Sequence, residues 1–292
     1  MRSWTRRAAL AWAASTFATR ALATQGAPRI VALDWTLASI VIELGVTPVG
    51  MAEKAGYADW VRAPAIPAGV AEVGLRMTPS LETLAVLKPD LILVNPMNAR
   101  VQAKLETIAR TFSNSIYTAE RQPLARARAI TLELGNRLGL SAKAQALLEQ
   151  SENRIKAARV RIGEGWGRAL LPVIFLDDRH AAFYGKGSLY ADVLEALGLR
   201  SEIDVGASAW GQTTRGIEFL AECSPADVLV IGPIPSAARA LLEGNGLWSS
   251  LLRAKGGRAF PLPPAWAYGD CGTAASFAES VADALTAARR LG

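Results

Sequence analysis

Apolar residues recur along the chain in alternating short runs and helical stripes. In "RIVALDW", Ile30 to Leu33 form a short apolar run. "TLASIVIELG" follows with helical spacing and ends at Gly45, a residue suited to stop a helix. "TPVGMA" starts a second strand, and the rhythm returns as helix "SLETLAVLKP", strand "DLILVN", helix "AKLETIARTF" and strand "SIYTA". Strands alternating with helices of about ten residues predict a parallel sheet covered by helices on both sides.

The rhythm then changes. Residues 141–162 contain neither Pro nor Gly, and Ala144, Leu147, Leu148, Ser151 and Ile155 fall on one face at helical spacing. Ser141 is suited to cap this helix, whose length of about 30 Å matches the diameter of a small domain. Alternation resumes with strand "LLPVIFLD", helices "LYADVLEALGL" and "GIEFLAEC", strand "DVLVIG", helix "SAARALLEG", strand "RAFPLP" and a C-terminal helix. "SLETLAVLKPDLILV" and "GIEFLAECSPADVLVI" share one order: a helix with an early Glu, a break containing Pro, then an apolar strand. The expected fold class is α/β, with two similar lobes (29–140 and 166–292) joined by one long rigid helix (141–162).

The first 23 residues stand apart. They have a basic start (Arg2, Arg6, Arg7), an apolar run from Ala8 to Ala18 and a small-x-small ending at Ala21–Ala23. That is the layout of a cleaved export signal, and the Arg6–Arg7 pair resembles a twin-arginine signal. The run is shorter than the ~20 residues that span a bilayer. The expected location is the periplasm, with cleavage near Ala23. Composition also reads differently once this segment is set aside. The net charge of +6 falls by its four arginines to +2, so the basic pI is no evidence for nucleic-acid binding, and no basic block interleaved with aromatics follows. A single histidine, His180, excludes sites that need several. Cys223 and Cys271, 48 residues apart, form no metal motif; a disulfide is open in an oxidising compartment, but free thiols are the expectation.

Candidate chemistry sits in loops. Arg76, in "VGLRMTPSLE", either is solvated or aims its planar donor fork into a cleft. Trp60, Trp210, Trp266 and Tyr268 all fall in loop sequences rich in Pro, Gly, Ser or Thr. Trp266 and Tyr268, two apart in "PPAWAYGD", share a face of an extended segment. Four loop aromatics divided between both lobes point to a ligand wall. "FYGKGSLY" lacks the spacing of a phosphate loop, and Ser188 there reads as a helix N-cap. Asp177, Asp178 and His180 have no nucleophile beside them and read as a strand-end turn.

These segments carry a resemblance. "RIVALDW", "VGLRMTPSLE", "LDDRHAAFYGKGSLYADVLEALGL", "SAWGQTT" and "PAWAYG" are similar, in order and spacing, to the periplasmic substrate-binding proteins of ABC importers for iron complexes and cobalamin, and most closely to those that bind Fe(III)-hydroxamate siderophores. The resemblance implies two α/β lobes bridged by a helix, small closure and a ligand in a shallow cleft. It implies that Arg76 hydrogen-bonds the hydroxamate oxygens, that Trp60, Trp210, Trp266 and Tyr268 are pocket aromatics, and that Gln212 is a polar contact. Asn98 falls where the family has a pocket tyrosine, which leaves the siderophore open. Glu82 and Glu218 match acidic residues that dock onto arginines of an inner-membrane ABC permease. The function so implied is capture and delivery of an Fe(III)-hydroxamate siderophore by a monomer, with no catalysis, cofactor or directly bound metal. A catecholate siderophore stays open because Arg62, Arg100 and Arg215 lie near cleft loops, and haem and cobalamin are the other chelates that the same fold could bind. An exported hydrolase using Asp177 and His180 is the competing class.

Overall fold

The computed structural model describes residues 28–201, 208–243 and 246–291; the expected export segment lies outside them. The first lobe runs β1 (Ile30–Ala32), α1 (Trp35–Glu43), β2 (Gly50–Met51), α2 (Lys54–Trp60), β3 (Ala71–Glu72), α3 (Leu81–Leu87), β4 (Leu91–Val94), α4 (Ala99–Glu106), β5 (Arg110–Ser113) and α5 (Pro123–Arg137). Its sheet has the order β3-β2-β1-β4-β5 and is parallel throughout. β1 and β4 are buried at every position, as expected of strands covered on both faces. Strand order reverses between β1 and β4. Ligands of parallel sheets bind outside the strand C-termini at such a switch point.

α6 (Ser141–Ile162) leads to the second lobe: β6 (Ala169–Phe175), β7 (His180–Tyr184), α7 (Leu189–Ala196), β8 (Gln212–Gly216), β9 (Ala226–Ile231), α8 (Ser236–Glu243), α9 (Leu247–Ala254), β10 (Ala259–Leu262) and α10 (Cys271–Leu291). The sheet order is β10-β9-β6-β7-β8. β10, β9 and β6 are parallel, whereas β7 runs antiparallel to both β6 and β8. The two sheets thus support the two-lobe α/β fold, and the antiparallel strands are a departure from the purely parallel pattern expected.

α6 ties the halves together. Gly135 in α5 lets it approach closely: a Cβ there would lie 2.4 Å from that of Ala144. α10 packs along α6, with Arg154 bonded to Glu279 at 2.7 Å and Arg161 paired with Asp283. One apolar cluster runs through both lobes, including Leu93 and Ile130 from the first and Leu170, Leu229 and Phe277 from the second. Smaller clusters cover the outer sheet faces around Val73 and Val94 and around Val173 and Trp248.

Several local boundaries differ from the sequence pattern. Ser141 is the first helical residue of α6, and Leu140 precedes it without a side-chain cap. The strand expected at "SIYTA" is instead β5, which starts five residues earlier. The Asn114 carboxamide accepts from the Ser115 amide and the Ser115 hydroxyl from the Tyr117 amide, at 3.1 Å each. These bonds turn the backbone out of the ladder. "GIEFLAEC" holds only a 3₁₀ helix, Ile217–Ala221, because β8 takes Gly216 and Pro225 follows closely. Ser188 caps α7 as expected, its hydroxyl accepting from the Ala191 amide. Cys223 and Cys271 are buried free thiols.

Candidate functional site

Between the lobes, at the C-terminal ends of β1 and β4, lies a cavity of about 470 Å³. Two residues that follow buried strands form its floor. Asp34 follows β1 and caps α1, accepting from the Leu37 amide at 2.9 Å. Asn95 follows β4 and donates its side-chain amide to Asp34 at 2.9 Å. Burial raises the Asp34 pKa, opposed chiefly by this bond from Asn95.

Arg76 is held from behind. Glu53 accepts from its Nε at 2.8 Å and from its backbone amide at 3.0 Å. Glu53 adopts a left-handed backbone, φ 50°, a conformation costing a non-glycine residue roughly 1 kcal/mol. The two bonds to Arg76 offset that strain. The Arg76 guanidinium carbon lies 3.8 Å from the centroid of Trp35 and 5.5 Å from that of Trp266. Trp35 is itself fixed by donating to the Ala52 carbonyl at 3.0 Å. Among the described residues, no hydrogen bond occupies the Arg76 Nη groups, so these planar donors remain available to a ligand.

The C-terminal lobe supplies Trp266, Tyr268 and Trp210. In the loop after β10, Ala265 and Ala267 are buried and the two rings between and beyond them are part-exposed, so the rings do share a face. Their centroids are 5.2 Å apart. Trp210, 43% exposed, stands at the rim. Tyr117 completes the aromatic wall from the N-terminal lobe, 5.2 Å from Tyr268 and near edge-on. Burial raises the pKa of Tyr117 and Tyr268, so both phenols are neutral at physiological pH.

Of the residues singled out from sequence, Arg76, Trp210, Trp266 and Tyr268 line the cavity. The others stand behind or beside it. Trp60 packs its ring 6.0 Å from Trp266 and buttresses it. Asn98 is 1% exposed and lies beneath the wall, donating to the Arg76 carbonyl at 2.7 Å and accepting from the Asn95 amide. Gln212 lies in β8, its backbone bonded to Ser208. Glu82, in the first turn of α3, and Glu218, in the first turn of the 3₁₀ helix, are both exposed. Asp177 and His180 close the β6–β7 hairpin: Asp177 accepts from the Arg179 and His180 amides and pairs with the exposed His180 ring. Asp34, Thr36, Asn95 and Tyr117 are cavity residues not picked out from sequence. Asp34 and Asn95 had a readable sign, since each directly follows an apolar strand run.

A larger open groove, about 650 Å³, lies between α9, β10 and α10. Its walls are mainly apolar, and its Arg258 already pairs with Asp227 and lies over Trp166. The interlobe cavity, with guanidinium donors that no described residue occupies and a ring cluster, is the better-formed ligand site.

A family model described as "Periplasmic binding protein" matches residues 30–250. The chain belongs to that family. The iron(3+)-hydroxamate-binding protein FhuD of Escherichia coli (strain K12) is 31% identical over 259 residues, covering 88% of this chain and 86% of that one. The Fe(3+) dicitrate-binding periplasmic protein FecB of the same organism is 27% identical over 237 residues, 78% of this chain and 74% of that one. Among solved structures, Fe3+-Desferal-bound FhuD from Vibrio cholerae superposes with a TM-score of 0.82 at 28% identity, covering 90% of this chain and 99% of that one. The family and these relatives are binding proteins rather than enzymes, and their two-lobe arrangement is that of the present fold. Among the described residues, no group of three or more His, Cys, Asp or Glu is placed to hold a metal ion. No helix among them is long and apolar enough to cross a membrane.

Proposed function

We propose that this chain is a periplasmic binding component that captures an Fe(III)-hydroxamate siderophore between its lobes and passes it to an inner-membrane ABC permease. The observation that carries the reading is the state of Arg76. Its Nε side is neutralised by Glu53, while among the described residues nothing occupies its Nη donors beside the cavity, between a carboxylate-bearing floor and an aromatic wall. Among the described residues, Arg76 and Asp34 are the charged ones lining the cavity, and Glu53 backs the arginine. Such a site has no surplus of positive charge. It suits a neutral tris-hydroxamate complex, whose coordinated oxygens accept from a guanidinium while rings cover its organic backbone.

A tris-catecholate complex carries a charge of −3 and needs several cations. Arg62, Arg100 and Arg215 are exposed, and none of them lines the cavity. The likeness to E. coli and V. cholerae FhuD supports the same ligand class. In this reading iron arrives already coordinated, as part of the cargo. Trp210 and Tyr268 cover the chelate, Trp60 and Asn98 position the wall and the Arg76 loop, and Gln212 is a rim contact. Glu82 and Glu218, exposed on corresponding elements of the two lobes, dock on the permease.

Titration of intrinsic tryptophan fluorescence against Fe3+-Desferal, a ferric tris-catecholate, haem and cobalamin tests the proposal. Saturable quenching by the hydroxamate complex, and weaker response to the others, is expected. Tighter binding of the tris-catecholate would overturn the charge argument.

A further inference from the structure

We propose that Tyr117 and Thr36 set the width of the cleft. These two residues fasten the aromatic loop of the C-terminal lobe to the N-terminal lobe, so the width of the cavity bordered by Arg76, Tyr117 and the Trp266–Tyr268 wall is a built-in gauge for chelate size. The inference rests on the ferric-chelate reading of the same cavity and deepens it.

Three anchor points hold the loop between β10 and α10. The Tyr190 hydroxyl donates to the Ala265 carbonyl at 2.5 Å, the Tyr117 hydroxyl to the Ala267 carbonyl at 2.7 Å, and the Thr36 hydroxyl to the Tyr268 carbonyl. Tyr190 belongs to α7, in the loop's own lobe. Thr36, in the first turn of α1, and Tyr117, beyond β5, come from the opposite lobe. All three donors are buried, with Tyr117 9% and Thr36 6% exposed. Water therefore does not compete readily for these carbonyls, and an orphaned one would be costly.

Tyr117 does more than bridge two atoms. Its oxygen also accepts from the Leu189 amide at 3.3 Å, at the start of α7, and its ring meets Tyr268 near edge-on. One side chain of the N-terminal lobe thus touches the loop's backbone, its aromatic ring and the helix beneath. Ala267 and Tyr268 are consecutive, yet their carbonyls go to two separate N-lobe elements. That fixes both the position and the tilt of the loop. The side chains of Trp266 and Tyr268 then have one placement relative to Arg76 rather than a range of them.

The test uses two neutral probes with the same donor atoms and different bulk, tris(acetohydroxamato)iron(III) and tris(benzohydroxamato)iron(III), with Fe3+-Desferal alongside. Tyr117→Phe and Thr36→Val remove the cross-lobe bonds, and Tyr190→Phe removes the bond within the lobe. In the first two variants the ratio of affinities should move toward the bulkier probe by about fivefold, the worth of a typical hydrogen bond. Amides of the 265–269 segment should also exchange faster without ligand. Tyr190→Phe should lower thermal stability and leave the ratio alone. An unchanged ratio in both cross-lobe variants, or an equal shift in Tyr190→Phe, would overturn the gauge. Failure of Fe3+-Desferal to bind the unaltered protein would instead sink the ferric-chelate reading, while ligand-free exchange would still decide whether the clamp exists. Thr36→Val keeps the question answerable if Tyr117→Phe folds poorly.

Discussion

Replacing Arg76 by alanine separates the chemistry of the site from its shape. The arginine is 28% exposed, stacked on Trp35, and anchored to Glu53 through Nε. Its Nη groups can offer a ligand oxygen two charge-assisted bonds, each worth roughly 1.5–3 kcal/mol. Solvent replaces part of that in the variant, so the net loss should be about 3 kcal/mol, or roughly a hundredfold in Kd. The stack on Trp35 exists without ligand, and its loss should appear as thermal stability rather than affinity. Arg76→Lys should fall between, since an ammonium keeps the charge but has neither the planar fork nor the stacking face. Glu53→Gln supplies the complementary perturbation. It leaves the arginine in place and raises the positive charge of the cleft, so it should improve binding of anionic chelates relative to neutral ones. Fluorescence quenching of the surrounding tryptophans reads all of these, with circular dichroism checking the fold. A folded Arg76→Ala protein that binds Fe3+-Desferal as tightly as the parent would refute the reasoning.

A buried carboxyl pair makes stability depend on pH. Burial, and then the adjacent Asp270, raise the Glu43 pKa to about 9 from an ordinary 4.5, opposed by Arg154. The folded protein keeps a proton that the unfolded chain releases, so stability should fall as pH rises from about 4.5 towards 9. Glu43→Gln should remove that slope and raise the thermal midpoint at pH 8, by an amount on the order of 1–3 kcal/mol in stability; a steeper slope in the variant would contradict it. Charge reversal of Glu82 and Glu218 together should abolish siderophore uptake by cells while leaving affinity in solution intact. Lost affinity would move these residues from docking to the ligand site.

Much of the architecture was legible because buried strands and amphipathic helices have different periods. α6 was visible as 22 residues free of Pro and Gly, β1, β4 and β6 as unbroken apolar runs, and β9 as the run that follows Asp227. Short edge strands were not. β3 and β8 are only partly buried and carry no apolar run, so their pairing depends on neighbours distant in sequence. The same distinction governs the site. Arg76, Trp210, Trp266 and Tyr268 stood out as loop residues of unusual type, but sequence does not encode depth. Trp60 and Asn98 therefore turned out to support the wall rather than form its surface. Tyr117 was hidden because "SIYTA" has the composition of a strand. Only the turn built by Asn114 and Ser115 swings its ring toward the other lobe.

The apolar cluster that runs unbroken from Leu93 and Ile130 to Leu170 and Phe277 has a consequence for how the molecule comes apart. Two lobes suggest two folding units, yet neither could be excised without exposing the shared part of this core to water. α10, the last element in the chain, packs against α6 and closes the structure that the first strand begins. The protein should therefore melt in one calorimetric transition, its van't Hoff and calorimetric enthalpies agreeing. Two resolved transitions would show that the interlobe core is energetically minor. Cooperativity of this kind makes the chain indivisible: a cut at the midpoint of α6 yields two fragments with incomplete cores, not two half-size binding domains.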